Sequence, residues 1–344
     1  MDAMSLQSRT CVAAVIATGL LIVPVVAVAQ SAGADTVWAV PRMADGQPDL
    51  QGVWANNSVT PLERPEAWVG KPQLTEEELA NLQTAAAQVT TSGLDAVFGD
   101  QLVQAAIAGI EDADSYDTTG NYNQFWLADR TFDDRTSLII DPRDGRMPAL
   151  IPRAQRKADA RRTYRREHPA DSWEDRGLGE RCVHFGVPKL GAGYNSYSQI
   201  VQTPDHFVIY HEMAHDVRVI PLDGRPHLPP GIRQWMGSAR AHWEGETLVV
   251  ESVNFSPKAN FRGSNTNLHL IERFARVSPT TLDYEVTVTD PTIWTRSWTA
   301  SIPLQKSDDA VYEYACHEGN YGMEGILAGH RAQEAAEVAT GEVP

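Results

Sequence analysis

From Tyr197 onward, apolar and polar positions alternate in short runs broken by turn residues, the period of strands that bury one face. Candidate strands cover 198–203, 207–214, 217–222, 247–254, 268–277, 282–290, 298–304 and 311–316. The links between them are short and carry turn chemistry, as at Pro204-Asp205, Glu244-Gly245 and Ser278-Pro279, so neighbours in sequence should pair as hairpins. Eight such strands predict a mainly β fold, an antiparallel meander that curls into a barrel or a strongly curved sheet.

Upstream the period changes. Residues 30–70 look extended and loop-rich, with one short apolar strand around Leu50, Val53 and Trp54. Thr75 followed by Glu78 spells a capping box, and Leu79, Leu82, Ala86 and Val89 recur at helical spacing. A second helical stretch covers about 94–110. Seven basic residues between Arg153 and Arg166 fall in a third, which reads as a solvated charged face, with contact to an anionic surface or an acidic partner as the alternative. The expected layout is a leader over 1–29, an N-terminal extended and helical elaboration over 30–196 packing on the barrel, the barrel-like domain over 197–325, and a C-terminal tail over 326–344.

The leader rests on Arg9, an apolar run from Cys11 to Val28, and Ala27-Val28-Ala29 as an A-x-A cleavage site. It predicts a periplasmic or secreted protein. The run is short for a membrane span and nothing later is long enough, so no stable span is expected once it is removed. Cys182 and Cys316 remain as an even pair in an oxidising compartment, which predicts a disulfide. A formal charge of −16 with a pI near 5.0 speaks against nucleic acid as a partner. Asp112, Asp114 and Asp117 suggest calcium, but Tyr116 holds the fifth ligand place and no glycine the sixth, so an ordinary solvated loop is expected.

The candidate chemistry centres on His211-Glu212-Met213-Ala214-His215, which spells H-E-x-x-H. On a helix, residues four apart stand about 5–6 Å from one another, so His211 and His215 would share a zinc ion with Glu212 as base. On a strand the same two lie roughly 13 Å apart and cannot. The β-branched density at Val208, Ile209, Val217, Val219 and Ile220, and the stop at Pro221, favour the strand. Arg218 and Pro221 also stand where a metzincin would place its glycine and third histidine. With a turn near Ala214-His215-Asp216, Glu212, His215 and Arg218 are expected to converge from the two arms of a hairpin. Glu212 would take a proton, His215 deliver one, and Arg218 hold an oxyanion or fix Glu212 as the carboxylate.

Two further residues join this acid–base set. Arg273 is expected to form an internal pair with Glu251 on the neighbouring strand, read as a core salt bridge or a substrate contact, and His242 lies at a predicted strand edge. Parity along 268–277 places Leu268, Leu270, Glu272 and Phe274 on one face and His269, Ile271 and Arg273 on the other, so either face buries a charge if it points inward. Trp235, Trp243, Trp294 and Trp298 read as core packing. There is no G-x-S-x-G elbow and no phosphate-cradling loop, so no cofactor is expected, zinc being the alternative.

A set of motifs also stands out: Asp223-Gly224-Arg225-Pro226-His227, Trp235-Met236-Gly237, Trp243-Glu244-Gly245 running on to Val249-Val250-Glu251, Glu272-Arg273-Phe274, and Asp290-Pro291 before Trp294-Thr295. Together, over about residues 125–325, they resemble a large family of exported bacterial proteins of uncharacterised function and lipocalin-like aspect. The resemblance implies a lipocalin-type barrel and carries over no catalytic residue. By fold analogy alone it suggests a small apolar molecule at the barrel mouth. The function expected is an exported β-barrel protein binding a small, mostly apolar molecule, with cofactor-independent lyase, isomerase or hydrolase chemistry as the reaction class its residues suit. Zinc-dependent hydrolysis and a non-catalytic binding module are the alternatives.

Overall fold

The computed structural model describes residues 38–92, 99–109 and 130–341. The expected leader, the Asp112–Asp117 segment and both ends of the 94–110 stretch lie outside them. The strands are β1 (Gly52–Ala55), β2 (Ile139–Asp141), β3 (Tyr197–Gln202), β4 (His206–His211), β5 (Val217–Pro221), β6 (Ser238–Glu244), β7 (Thr247–Val253), β8 (His269–Arg276), β9 (Thr281–Thr289) and β10 (Trp298–Ser307). The helices are α1 (Glu76–Ser92), α2 (Gln101–Ala108), α3 (Pro152–Glu167) and α4 (Gly322–Thr340).

All ten strands join one antiparallel sheet in the order β5-β4-β3-β1-β10-β9-β8-β7-β6, with β2 added beside β10. Two meanders, β3 to β5 and β6 to β10, are thus spliced together by β1. The edge strands β5 and β6 come near each other without pairing, so the sheet is strongly curved but not closed. Alternation drives this: on β9, Leu282, Tyr284, Val286 and Val288 are buried and the residues between them are not. Phe207 on β4 meets Phe274 on β8 at a centroid distance of 5.5 Å, and Phe274 stacks on Tyr284 at 4.8 Å, so side chains from opposite ends of the sheet order share one core. Each fully buried apolar side chain of this size contributes about 1.5–3 kcal/mol.

The capping box forms as the sequence spells it. The Thr75 amide donates to Glu78 Oε2 at 2.9 Å and the Glu78 amide to Thr75 Oγ1 at 3.2 Å. Helices α1 and α2 then bury Ala86, Val89, Leu102 and Val103 in a satellite core with Val59. Cys182 and Cys316 are joined in a disulfide that ties the segment before β3 to the segment after β10. No described helix is long and apolar enough to cross a membrane.

Four expectations change. Residues 311–316 form no strand, because the sheet has already ended at Ser307. The other arm of the Glu244-Gly245 hairpin, Ser238–Glu244, is a strand that its mixed composition concealed. The C-terminal tail carries α4, an exposed helix with no buried residue. Finally, the segment before residue 196 does more than pack on the sheet: β1 sits inside it, hydrogen-bonded to β3 on one side and β10 on the other.

Candidate functional site

A cavity of about 450 Å³ opens where the concave face of the sheet meets the segment 185–198. That segment crosses the sheet as a strap and supplies one wall through Pro188, Leu190 and Ala192, while Ile200, Ile209 and Leu304 supply the sheet side. The volume falls within the ~300–1,000 Å³ usual for small-molecule sites, and the lining is mostly apolar.

The strap is tied at both ends by residues of the H-E-x-x-H hairpin. Asp216 accepts from the Phe185 amide at 3.2 Å and from Lys189 Nζ at 2.8 Å. Glu212 Oε1 accepts from Asn195 Nδ2 at 2.8 Å. Midway, Asn56 Nδ2 donates to the Gly191 carbonyl at 2.9 Å. Burial pushes the Glu212 carboxyl above its ordinary value, against the bonds from Asn195 and the Tyr312 backbone. Burial also lowers Lys189, against the pull of Asp216.

The hairpin explains how five consecutive residues part company. His211 is the last residue of β4, Met213–His215 make a single 3-10 turn, and β5 begins at Val217. Ala214 and His215 both have positive φ, 59° and 42°, which reverses the chain too sharply for a helix to pass through. His211 points into the cavity, Glu212 and Asp216 are buried strap anchors, and His215 is exposed on the turn. The two imidazoles therefore do not face a common point. Among the described residues, the one group of three metal-ligating side chains within reach of one another is Asp171, His330 and Glu334, outside the motif.

Polar chemistry converges on the cavity floor. Arg218 Nη1 and Nη2 donate to Glu272 Oε1 and Oε2 at 2.9 and 2.5 Å, Nη2 also donates to Ser252 Oγ at 3.2 Å, and the Tyr284 hydroxyl donates to Glu272 Oε1 at 2.9 Å. Arg218 is 5% exposed and Glu272 1%, so this is a buried, hydrogen-bonded ion pair. Burial opposes the guanidinium charge, but Glu272 outweighs it and raises the Arg218 pKa. Burial, reinforced by the Glu272 charge, lifts the Tyr284 phenol well above its usual range.

Above this floor stands His211. Its Nδ1 lies 2.8 Å from Ser198 Oγ, while Nε2 is buried with no partner. Burial, and then the charges of Lys189 and Arg218, hold the imidazole well below its ordinary pKa, so it is neutral at pH 7. In either tautomer, Nε2 has one hydrogen-bonding function left unused.

The expected convergence of Glu212, His215 and Arg218 does not form, because Arg218 is spent on Glu272 and the other two face the strap and the solvent. Arg273 does not meet Glu251. On the outer face of the sheet it pairs with Glu244, while Glu251 is shared by His227 and His269 at 3.2 and 2.8 Å. The register explains this, since Arg273 lies opposite Val249 and Glu251 opposite Ile271. His242 is exposed beside Glu244 at 3.3 Å. Trp294 and Trp298 are core residues, whereas Trp235 remains 38% exposed.

Sequence reasoning passed over Lys189, Asn195, Ser198 and Asp216, which sit in loops or at strand ends where no period marks them. Parity grouped Glu272 with Leu270 and Phe274 but left open which face turns inward, and the internal ion pair forms at Glu272 with Arg218 rather than at Arg273 with Glu251. Comparison with protein-family models, with curated proteins and with solved structures finds no match.

Proposed function

We propose that this chain binds a small, mostly apolar molecule in the cavity beneath the 185–198 strap, held by one polar group hydrogen-bonded to His211 Nε2. The observation that carries the reading is that orphan nitrogen. A buried polar atom without a partner costs about 1–3 kcal/mol, and here the residue that carries it lines a space large enough for a ligand, toward which a small turn of the ring would present the nitrogen. The apolar walls supply affinity, and the neutral imidazole selects a hydroxyl, carbonyl or phenol over an ion.

A second reading, acid–base catalysis without a cofactor, rests on the same atom. A neutral imidazole whose Nδ1 is held by Ser198 can take or give a proton at Nε2 without leaving its place. The Arg218–Glu272–Tyr284 floor then supplies fixed charge and shape. Export to the periplasm or the medium belongs to the same proposal and is supported by the N-terminal leader pattern.

A thermal-shift and calorimetric screen of small apolar alcohols, ketones and phenols against the mature protein tests binding. His211→Leu, which keeps the cavity apolar but removes Nε2, should weaken a hit about 2–10-fold, the worth of one hydrogen bond. His211→Trp should abolish binding by filling the space. Hits that bind both variants as tightly as wild type would place the ligand elsewhere. Loss of turnover in His211→Leu with binding retained would select the catalytic reading once a reaction is observed.

A further inference from the structure

A second and larger concavity, about 910 Å³, is lined at one end by Phe185, Gly186 and Val187 from the start of the strap. One wall is α3. Lys157, Arg161, Arg162 and Arg165 line it together with Ala154 and Ala158, positions spaced as a single helical face. Arg153, Arg156 and Arg166 fall off that face. The helix therefore does not simply spread its charge into solvent: it turns one cationic stripe toward the groove. Facing it are Arg176 and Arg181 from the loop before the strap, and Lys258 and Arg262 from the loop between β7 and β8.

Eight cationic side chains thus border one groove against two carboxylates, Glu174 and Glu180, in a chain whose formal charge is −16. Arg176 is paired with Glu180 and Arg162 with Asp159. Lys157, Arg161, Arg165, Lys258 and Arg262 have no carboxylate partner among the described residues. Burial, and after it repulsion from Arg165, lowers the Arg161 pKa. A fold that only needed solubility would not gather like charges around a concavity.

The inner surface is different in kind. Val187, Phe255 and Leu268 are buried at its base, and Phe185 and Trp235 remain 45% and 38% exposed along it. His184, 6% exposed, also borders the groove against Trp235, with neither ring nitrogen hydrogen-bonded. Apolar floor and cationic rim together call for an occupant with a greasy body and an anionic head.

We propose that the groove is a binding site for a phosphate-bearing amphiphile, its apolar body on Trp235 and Phe185 and its phosphate held by Arg161, Arg165 and Arg262. Guanidinium forks match phosphate oxygens two at a time. The remaining charge of the protein argues for one molecule rather than a surface. A long polyanion or an anionic membrane would meet the acidic remainder of the chain, whereas a single head group inside the groove lies within about 8–10 Å, one screening length, of a lining in which cations far outnumber carboxylates. The site is separate from the cavity that holds His211, sharing only Phe185 with it.

The test is calorimetric titration of the full chain with monomeric dodecyl phosphate, inorganic tripolyphosphate and dodecyl maltoside, together with co-sedimentation on phosphatidylglycerol vesicles. Dodecyl phosphate should bind, and the uncharged detergent should not. Arg161→Gln/Arg165→Gln/Arg262→Gln should weaken it by about tenfold or more, more than 1.4 kcal/mol by the standard conversion. Arg153→Gln/Arg156→Gln/Arg166→Gln, with the same change in net charge off the groove face, should leave it within about threefold. His211→Trp should leave it unchanged, which separates this site from the cavity.

Equal losses in the two triple variants would overturn the groove as the site. Tripolyphosphate binding as tightly as the amphiphile would overturn the role of the apolar floor and identify a free-phosphate site. Vesicle binding without monomer binding would replace the single-molecule site with a membrane-contact surface. Circular dichroism of both triple variants verifies that any loss comes from folded protein.

Discussion

Replacing Glu272 by glutamine while leaving Arg218 in place probes how the concave interior is held. The carboxylate accepts two bonds from Arg218 and one from Tyr284, in surroundings that leave it 1% exposed. Glutamine keeps the shape but turns an amide NH₂ toward a donor and strips a 5%-exposed guanidinium of its counter-charge. Breaking one partner of such a pair costs about 3–5 kcal/mol, a large share of the ~5–15 kcal/mol total typical of a folded domain. Arg218→Met should cost a similar amount, since it strands the carboxylate instead. Removing the whole set with Arg218→Met/Glu272→Leu/Tyr284→Phe leaves no orphan charge and should return stability to within about 2 kcal/mol of wild type, because buried pairs replaced by apolar side chains are often neutral. Equilibrium urea unfolding followed by tryptophan fluorescence and circular dichroism, with the disulfide intact, measures all three. A loss below about 1 kcal/mol in either single variant, or a triple variant costing the sum of its parts, would refute the account of Arg218–Glu272 as a buried, mutually compensating pair.

Gly237→Ala should destabilise the chain by about 2–4 kcal/mol, since Gly237 has φ of 73° and a Cβ there would stand 2.7 Å from the Val253 carbonyl and 2.9 Å from the Phe255 ring; unchanged chemical unfolding would contradict this. Stability should fall as pH drops below about 6.5, the unfolded imidazole value, because His211 and His184 refuse in the fold the protons they accept when unfolded. His211→Asn should flatten that limb, and an identical pH profile would count against a buried neutral His211. Cys182→Ser/Cys316→Ser opens a loop with a sequence separation of 134 and should cost about 2–5 kcal/mol. Hydrogen exchange should show the strap loosening first, and exchange confined to α4 would oppose that. Glu212→Ala, which releases Asn195, should speed exchange in residues 191–197 while leaving β8 and β9 protected.

Alternation by itself determined that β3 to β5 and β7 to β10 are strands, that the short turn pairs make hairpins, and that Leu270, Glu272 and Phe274 share a face. It does so because strand side chains alternate with a period of two whatever the partner strand. The cysteine pair and the capping box were equally local. What no local pattern contains is which distant strands become neighbours and how far the sheet curls. Only the curled sheet brings Arg218 on β5 to Glu272 on β8, six places away in strand order, so the partner of Arg218 was out of reach of a hairpin argument that looked to Glu212. The short strand around Leu50, Val53 and Trp54 was legible and is β1, but its place between two meanders is a tertiary fact that four residues cannot carry. The turn with positive φ at Ala214 and His215 sent His211 inward and His215 out, dividing a motif whose letters permitted zinc chemistry. On α3, composition gave the charge, but only packing against the sheet and loops decided which cationic stripe borders a groove and which meets water, because a helix polar on every side has no face of its own to choose.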